Sequence, residues 1–597
     1  MNIGLLAFLI VLTVLRLVYI GHVGLLPDEA YYHEWSQRLD WWYFSKGPGI
    51  AFLLRVSTAI FGHGEFGIRF FAPVFGLGTS LLVHWLAQRL YDRRIAFWTV
   101  LLMSVTPIFN VGALVMTIDA PSIFFWAAAL CTLWRALEKC PAFSGWWAVT
   151  GVLIGLGFLC KMTNAAMLAS IVLLLAMTAR YRCELIQRGF WSMLLAFIPF
   201  VLPMVLWNQA RGWPTTSHLA ARGGLDAPWW HLDFDSFFTF LGMHFGVYSP
   251  LIFFLMLMAL AATIAPSLGR WGAATIRSFQ SVPASLRTAW LGWLALAFVM
   301  TALWMAGNFF EIAALHKAMV WLGVLAAILF IGCQKEAANI HWKARFLAAF
   351  ALPLLLAYFW IALHHNSEPN WTAPATVSLA ILAVAYGHDR VMRRVRGSLL
   401  FSVLALILGA VVSIVAVDTD VLRAVGIQLP FSRDPSARLR GWREAAERVG
   451  EFRTAIEQQS GQRMFLIANS YGTASAIAYY LPEKRIEVPG HPAVYVPESP
   501  VPENQYHFWG RYDEFEERKA PVINDQEDSK EYGVNRFAGR TAIYITDREY
   551  ETVPFPLLRT FDRWELKTVL EFAQGGLPLR KVRVFLCYRY KPGRMLD

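Results

Sequence analysis

The stretch Leu26-Pro27-Asp28-Glu29-Ala30-Tyr31-Tyr32-His33-Glu34-Trp35 brings acids, aromatic rings and an imidazole together straight after one apolar segment. Ser45-Lys46-Gly47-Pro48 and Gly64-Glu65-Phe66-Gly67-Ile68-Arg69 follow closely. Group transfer away from a phosphate needs a carboxylate to take a proton from the attacking hydroxyl. It also needs a cation where charge builds on the leaving oxygen. Asp28 and Glu29 can supply the first, Lys46 and Arg69 the second. Arg is suited to a bidentate grip, whereas Lys acts as a point charge. A second acid, Asp119 in Thr117-Ile118-Asp119-Ala120-Pro121, lies near the end of an apolar segment. An acid at such depth is costly and marks a functional position by default.

Each of these residues also has a plainer reading. Pro27-Asp28 fits the start of a juxtamembrane helix, with Asp28 as cap or first-turn acid. The two roles are compatible, because a capped helix end fixes the carboxylate. Glu29 reads as structural, or as a neighbour that tunes Asp28. Lys46 could snorkel at an interface, Arg69 could anchor one, and Asp119 could cap a helix ahead of Pro121. Lys161, His218, Arg222, Glu311, His316, Lys317, His364, His365, Glu368 and Asn370 fall between apolar runs, where interfacial solvation explains them about as well as a pocket does. The spacing of His218, His364 and His365 forms no zinc motif. One GxGxxG string, at Gly62, Gly64 and Gly67, follows no clear strand and reads as turn glycine.

The elements that must position these groups are mostly apolar. The 597 residues are 56% hydrophobic and 16% charged, against about 25% charged in soluble domains. That deficit and the long apolar runs indicate an α-helical polytopic membrane protein. Its 25 Trp suit two interfacial belts, and its net charge of +11 suits loops facing anionic lipid. No compact basic region points to nucleic acid. Met1–Ile20 lacks a basic n-region and a small-residue cleavage site, so it reads as a retained helix. Six cysteines without a CxxC pair give neither a disulfide framework nor a thiolate metal site.

Runs near 3–20, 70–91, 94–110, 112–134, 146–162, 164–178, 190–208, 237–264, 288–306, 318–333, 345–363, 370–386 and 398–417 predict about 13 spans. Lys and Arg concentrate in alternate loops, which places those loops and the N-terminus in the cytoplasm. The loop 21–69 then lies outside, as does everything after 417. Residues 418–597 alternate short β-rich runs (463–469, 541–546, 581–588) with helical stretches (439–452, 471–481), so a small outer α/β domain is expected beside a membrane domain at 1–417. Water, polar acceptors and lipid head groups reach such a face, whereas ATP and nucleotide sugars normally do not. A transferase there needs an activated substrate delivered through the membrane.

Asp28-Glu29-Ala30-Tyr31-Tyr32…Trp35, Tyr43-Phe44-Ser45-Lys46-Gly47-Pro48 and Phe66-Gly67-Ile68-Arg69 resemble the integral-membrane glycosyltransferases with the GT-C fold. The group they look most like is the bacterial protein mannosyltransferase-like family, which includes the aminoarabinose transferases that modify lipid A. Thr117-Ile118-Asp119 with Phe124-Phe125-Trp126, Gly155-Leu156-Gly157-Phe158…Lys161 and Glu368-Pro369-Asn370-Trp371 look like further signatures. Tyr479-Tyr480-Leu481-Pro482 and Asn504-Gln505-Tyr506…Trp509 resemble the outer domain of bacterial members.

The resemblance implies inverting transfer of a sugar from a polyprenyl-phosphate donor to a lipid, glycan or protein acceptor, at the outer face of a bacterial inner membrane. It matches Asp28 to the first-loop catalytic acid, Asp119 to the second acid, and Lys46 and Arg222 to phosphate-binding cations. Arg69 is expected beside that phosphate, with Glu29, Tyr31 and Lys161 in support. Aminoarabinose transferases carry a Glu that helps hold a metal immediately before the lysine; here it is Ser45, which leaves a divalent metal open. The competing function is a transporter or flippase of a lipid-linked sugar, which would not need an acid poised at the surface.

Overall fold

The computed structural model describes residues 2–223, 232–264, 342–427, 434–515, 534–575 and 577–593. The apolar runs 288–306 and 318–333, together with Glu311, His316 and Lys317, lie outside the described residues. Helices dominate the first two thirds of the chain. In order they include α1 (Ile3–Tyr19), α2 (Pro27–Gln37), α3 (Gly49–Phe61), α4 (Glu65–Leu90), α5 (Arg93–Ser104), α6 (Pro107–Gly112), α7 (Asp119–Lys139), α8 (Trp146–Cys160), α9 (Ala166–Met177) and α10 (Arg188–Gln209). They continue with α11 (Pro214–Arg222), α12 (Phe234–Tyr248), α13 (Pro250–Ile264), α14 (Trp342–Ala362), α15 (Ala373–Met392) and α16 (Ser398–Val417).

The packing reports the solvent. In α16 only 17% of the apolar window is buried, and Leu399, Leu400, Ile407, Val411 and Ile414 face outward. An apolar surface of that size is unstable in water and stable against hydrocarbon. The helix α7 is the opposite case, 78% buried and surrounded by other helices. Among the described residues five helices are long and apolar enough to cross a membrane, or six if α12 and α13 form one bent span. The expected count of about 13 is therefore corrected in its particulars. The run 94–110 breaks into α5 and α6 ahead of Pro107, and the run 112–134 becomes helical at Asp119. The run 237–264 bends by 109°, because Ser249 takes φ +67° and Pro250 has no N–H to continue the ladder.

The loop 21–69 is built rather than irregular, since α2 and α3 fill it. Pro27 starts α2, where its missing N–H costs nothing. Glu29 then ties the region together. Its Oε2 accepts the Leu26 N–H (2.9 Å) and Arg69 Nη2 (2.6 Å), and its Oε1 accepts Arg69 Nε (2.7 Å) and the Met116 N–H (2.9 Å). The other Arg69 donors bind the carbonyls of Ile20 (3.2 Å), Val23 (2.6 Å) and Gly24 (2.7 Å). Both side chains are almost wholly buried. The expectation that Arg69 holds a donor phosphate is thus corrected, because a buried carboxylate and three carbonyls occupy its guanidinium. The structural reading of Glu29 is the one the geometry matches.

After residue 441 come α17 (Trp442–Ser460), α18 (Tyr471–Tyr480) and a four-stranded sheet of β1 (Phe465–Ala468), β2 (Ala542–Thr546), β3 (Phe561–Gln574) and β4 (Leu577–Tyr590). The order is β1-β2-β4-β3, with β1 and β2 parallel and the other pairs antiparallel. Side chains alternate between faces, as strand geometry requires. Phe465, Ile467, Tyr544, Phe585 and Cys587 fill one core. Leu466, Ile543, Ile545, Val582 and Val584 join a second core that also contains Ala30, Tyr31, Tyr32, Trp35, Ile50 and Leu54. One core therefore runs from the sheet through α17 and α18 into α2 and α3. Polar contacts reinforce it. The Leu25 N–H donates to the Tyr480 hydroxyl (2.9 Å), the Gln505 N–H to the Tyr31 hydroxyl (2.7 Å) and the Phe44 N–H to Gln505 Oε1 (2.7 Å).

Removing one partner of a buried ion pair strands the other. Arg69→Met should lower unfolding stability by about 3–5 kcal/mol. Glu29→Leu combined with Arg69→Met should recover part of that loss. Thermal unfolding of the detergent-solubilised protein checks both, and an unchanged midpoint for Arg69→Met would contradict the structural role.

Candidate active site

The Gly155-Leu156-Gly157-Phe158…Lys161 segment has a steric logic. A Cβ on Gly157 would lie 1.9 Å from Asn164 Nδ2, so the glycine lets the turn after α8 fold back. Asn164 then accepts from Ser122 Oγ (2.6 Å) and donates to the Ser122 carbonyl (3.1 Å), which fastens that turn to α7. Lys161 leaves α8 in extended conformation and reaches the first residue of α7. Its Nζ donates to Asp119 Oδ1 at 2.6 Å. Asn370 Nδ2 donates to Asp119 Oδ2 at 2.8 Å, and the Thr117 hydroxyl sits 3.4 Å from the same oxygen. Both Asp119 oxygens are therefore occupied, and Lys161 is almost buried.

Gly47 joins the first loop to this pair. A Cβ there would lie 2.2 Å from the Leu159 carbonyl oxygen, so only glycine lets the Lys46 loop rest on the end of α8. The Lys46 amine donates to the Tyr32 hydroxyl and lies 4.9 Å from that ring's centroid. Tyr32 is one helical turn beyond Asp28, so both lie on one face of α2. Burial pushes the Lys46 amine below the ordinary lysine value; Asp28 opposes that shift, Arg222 adds to it, and Asp119 and Lys161 act in opposite senses more weakly. Asp28, Lys46, Asp119, Lys161 and Arg222 thus share one electrostatic neighbourhood.

Asp28 differs from Asp119 in what touches it. It is half-buried in the first turn of α2. Among the described residues its carboxylate meets one side-chain donor, the Tyr471 hydroxyl, at 3.4 Å. Arg222 ends α11, exposed, with its guanidinium 5.0 Å from the centroid of Trp371, the neighbour of Asn370. His218, one turn earlier, packs against Phe44 at 4.7 Å. Burial, then Arg222 and Lys46, hold its imidazole below the usual value, which keeps it neutral near pH 7.

Of the residues singled out from sequence, these contacts gather Asp28, Lys46, Asp119, Lys161 and Arg222. Glu29 and Arg69 form a separate buried knot. Tyr31 turns away from it, 4.4 Å from the Tyr471 ring and stacked on Tyr506 at 5.9 Å. Tyr32 and Tyr471 were not singled out. The four-residue spacing from Asp28 could have flagged Tyr32; Tyr471 has no local signal, since only the tertiary fold brings it to α2. Asn370 was marked only as part of the Glu368-Pro369-Asn370-Trp371 signature and as one of many loop residues, with no role given to it. A divalent metal does not fit well here. Ser45 supplies no carboxylate, and among the described residues no three His, Cys, Asp or Glu side chains cluster.

Residues 45–207 match the family model described as dolichyl-phosphate-mannose-protein mannosyltransferase. Over 296 residues the chain is 27% identical to a lipid A galacturonosyltransferase of Rhizobium johnstonii, a match spanning 47% of this chain and 60% of that protein. Over 159 residues it is 32% identical to an undecaprenyl phosphate-alpha-4-amino-4-deoxy-L-arabinose arabinosyl transferase of Sodalis glossinidius, spanning 23% of this chain and 27% of that one. The chain thus matches less than two thirds of the length of either relative. The crystal structure of ArnT from Cupriavidus metallidurans bound to undecaprenyl phosphate aligns over 98% of both chains, with a TM-score of 0.50 and 15% identity, a likeness of fold. Taken with the apolar helices, these likenesses give the chain the GT-C glycosyltransferase fold.

Proposed function

We propose that this chain is an inverting glycosyltransferase. It moves a sugar from a polyprenyl-phosphate donor to a hydroxyl of a lipid, glycan or protein acceptor. The observation that carries the reading is the unequal treatment of two acids that both act on the Lys46 amine. Asp119 is clamped by Lys161 and Asn370, whereas Asp28 keeps a carboxylate with one long contact beside the Lys46 amine. The names of the relatives, one acting on lipid A and one using an undecaprenyl-phosphate-linked sugar, support a lipid acceptor and a lipid-linked donor.

In the reaction, Asp28 takes the proton of the acceptor hydroxyl as its oxygen bonds to the anomeric carbon. The bond from that carbon to the phosphate oxygen breaks on the opposite face, so the configuration inverts. Lys46 and Arg222 meet the charge left on the polyprenyl phosphate. Asp119 acts through Lys161, holding that ammonium at the rim of the cleft. The reading places the N-terminus in the cytoplasm, and the cleft and residues 418–597 on the periplasmic side of a bacterial inner membrane. The alternation of basic loops supports that orientation, and so does the joining of the sheet to the first loop through one core.

Purified protein supplied with a radiolabelled polyprenyl-phosphate sugar and membrane lipid extract tests this. Asp28→Asn should lower transfer by roughly 10²–10⁴-fold with unchanged thermal unfolding. Full activity in a folded Asp28→Asn protein removes the proposed base, and movement of intact donor across a bilayer without transfer would establish a flippase instead.

The lowered Lys46 value sets a sign for pH dependence. Phosphate binding needs the ammonium form, and that form is lost at a lower pH than for an ordinary lysine near 10.4. The ratio kcat/KM should therefore fall on the alkaline side, beginning below that value. Lys46→Arg, which keeps its charge, should remove this limb; an identical limb in that variant would assign it to another group.

A further inference from the structure

A second cation lies inside the membrane domain, away from the cleft. Arg16 sits one turn before the end of α1 and is 9% exposed. Its own helix presents Val11, Leu15 and Val18 outward as lipid-facing surface. Its Nη2 donates to Asn110 Oδ1. The Asn110 amide is itself held, because its Nδ2 donates to the Ser104 carbonyl at 2.6 Å. The guanidinium is thereby fixed in place by a neutral group. Among the described residues no carboxylate pairs with it. A buried charge without a counter-ion calls for a further polar partner.

A small cavity opens beside it, with Arg16, Thr79, Ser80 and Ser104 on its polar side and apolar groups that include Met103 and Phe109 over the rest of its wall. The hydroxyls of Ser80 and Ser104 donate to carbonyls one turn back, at 2.9 Å each. Such bonds are weak and can be redirected to a ligand oxygen. The cavity lies where α1, α4 and the α5–α6 break meet the start of α7. Asp119 turns instead to Lys161 on α8, so the two sites are neighbours across one helix end and share no side chain.

We propose that this cavity binds the phosphate of an anionic phospholipid from the leaflet on the side of the cleft. The chemistry is a fixed guanidinium, which suits a phosphate oxygen pair, on the polar side of a mostly apolar cavity that also carries the Ser80 and Ser104 hydroxyls. The depth, one turn inside the end of α1, is that of the head-group boundary. The approach is lateral, because the flanking face of α1 is lipid-exposed. A lipid phosphate brings its own apolar tails to that face, which a free ion does not. The site is independent of the sugar-transfer reading.

Native mass spectrometry of the full-length protein in detergent tests it, with phosphatidylglycerol, phosphatidylcholine and inorganic phosphate added separately. Wild type should retain one phosphatidylglycerol with at least tenfold preference over phosphatidylcholine. Arg16→Gln should lose that preference at one site. Ser80→Leu puts bulk at the polar side of the cavity while leaving Arg16 in place and should lose it as well, which keeps the test decisive if Arg16→Gln does not fold. Equal retention of phosphatidylglycerol by wild type and folded Ser80→Leu overturns the proposal. Displacement of the lipid by millimolar inorganic phosphate overturns its lipid part and makes the site one for a free anion.

Discussion

The Glu29–Arg69 pair is the constraint on which the rest of the structure depends. One buried carboxylate joins the start of α2, the start of α4 and the backbone just before α7, while its arginine gathers the end of α1. Asp28 is the residue before Glu29, and Asp119 is three residues after Met116. A single ion pair therefore sets the separation of the two acids. An ion pair this deep contributes little net stability, because desolvation offsets much of its attraction. What it supplies is register, since every donor and acceptor has one geometry in which all are satisfied.

The same demand explains why the sheet cannot be regarded as an appendage. One of its faces has a core of its own, while the other shares a core with α2 and α3 through α17 and α18. The shared core sets Tyr471 against Asp28 and stacks Tyr506 on Tyr31. Asp28 is thus fixed from behind by the Glu29 knot and from the far side by a helix more than four hundred positions later in the chain. A loop carrying acids near a membrane would otherwise be mobile, and mobility at a transfer site costs rate through lost orientation.

Much of this was legible in the residues. The apolar runs marked most of the helices, and the β-branched runs marked β1, β2 and β4 because strand period and bounding turns are local signals. The strand β3 escaped because an edge strand with mostly exposed side chains, FDRWELKTVLEFAQ, shows no buried stripe. Lys46 and Lys161 were found by type and position. Arg69 was found and given the wrong task, since composition cannot tell a cation facing a cleft from one sealed against carbonyls. Tyr471 had no local mark, because its partner is set only by long-range packing. Two continuous apolar runs are broken at Pro107 and Pro250, and hydropathy alone does not register such breaks.

Two carboxylates of the same type sit in one cleft and are made unlike by what surrounds them. Asp119 stands at the first turn of a buried helix, where an amine and an amide occupy its oxygens. Those contacts tie both of its oxygens to the surrounding helices. Asp28 stands at the first turn of a short juxtamembrane helix, half-buried, with one long contact. The division follows from the helix each acid begins. A helix packed on all sides commits its first-turn acid to structure, whereas a helix lying between the bundle and the sheet leaves one carboxylate edge open. The catalytic assignment rests on that difference in surroundings, since either acid alone has the chemistry of a base.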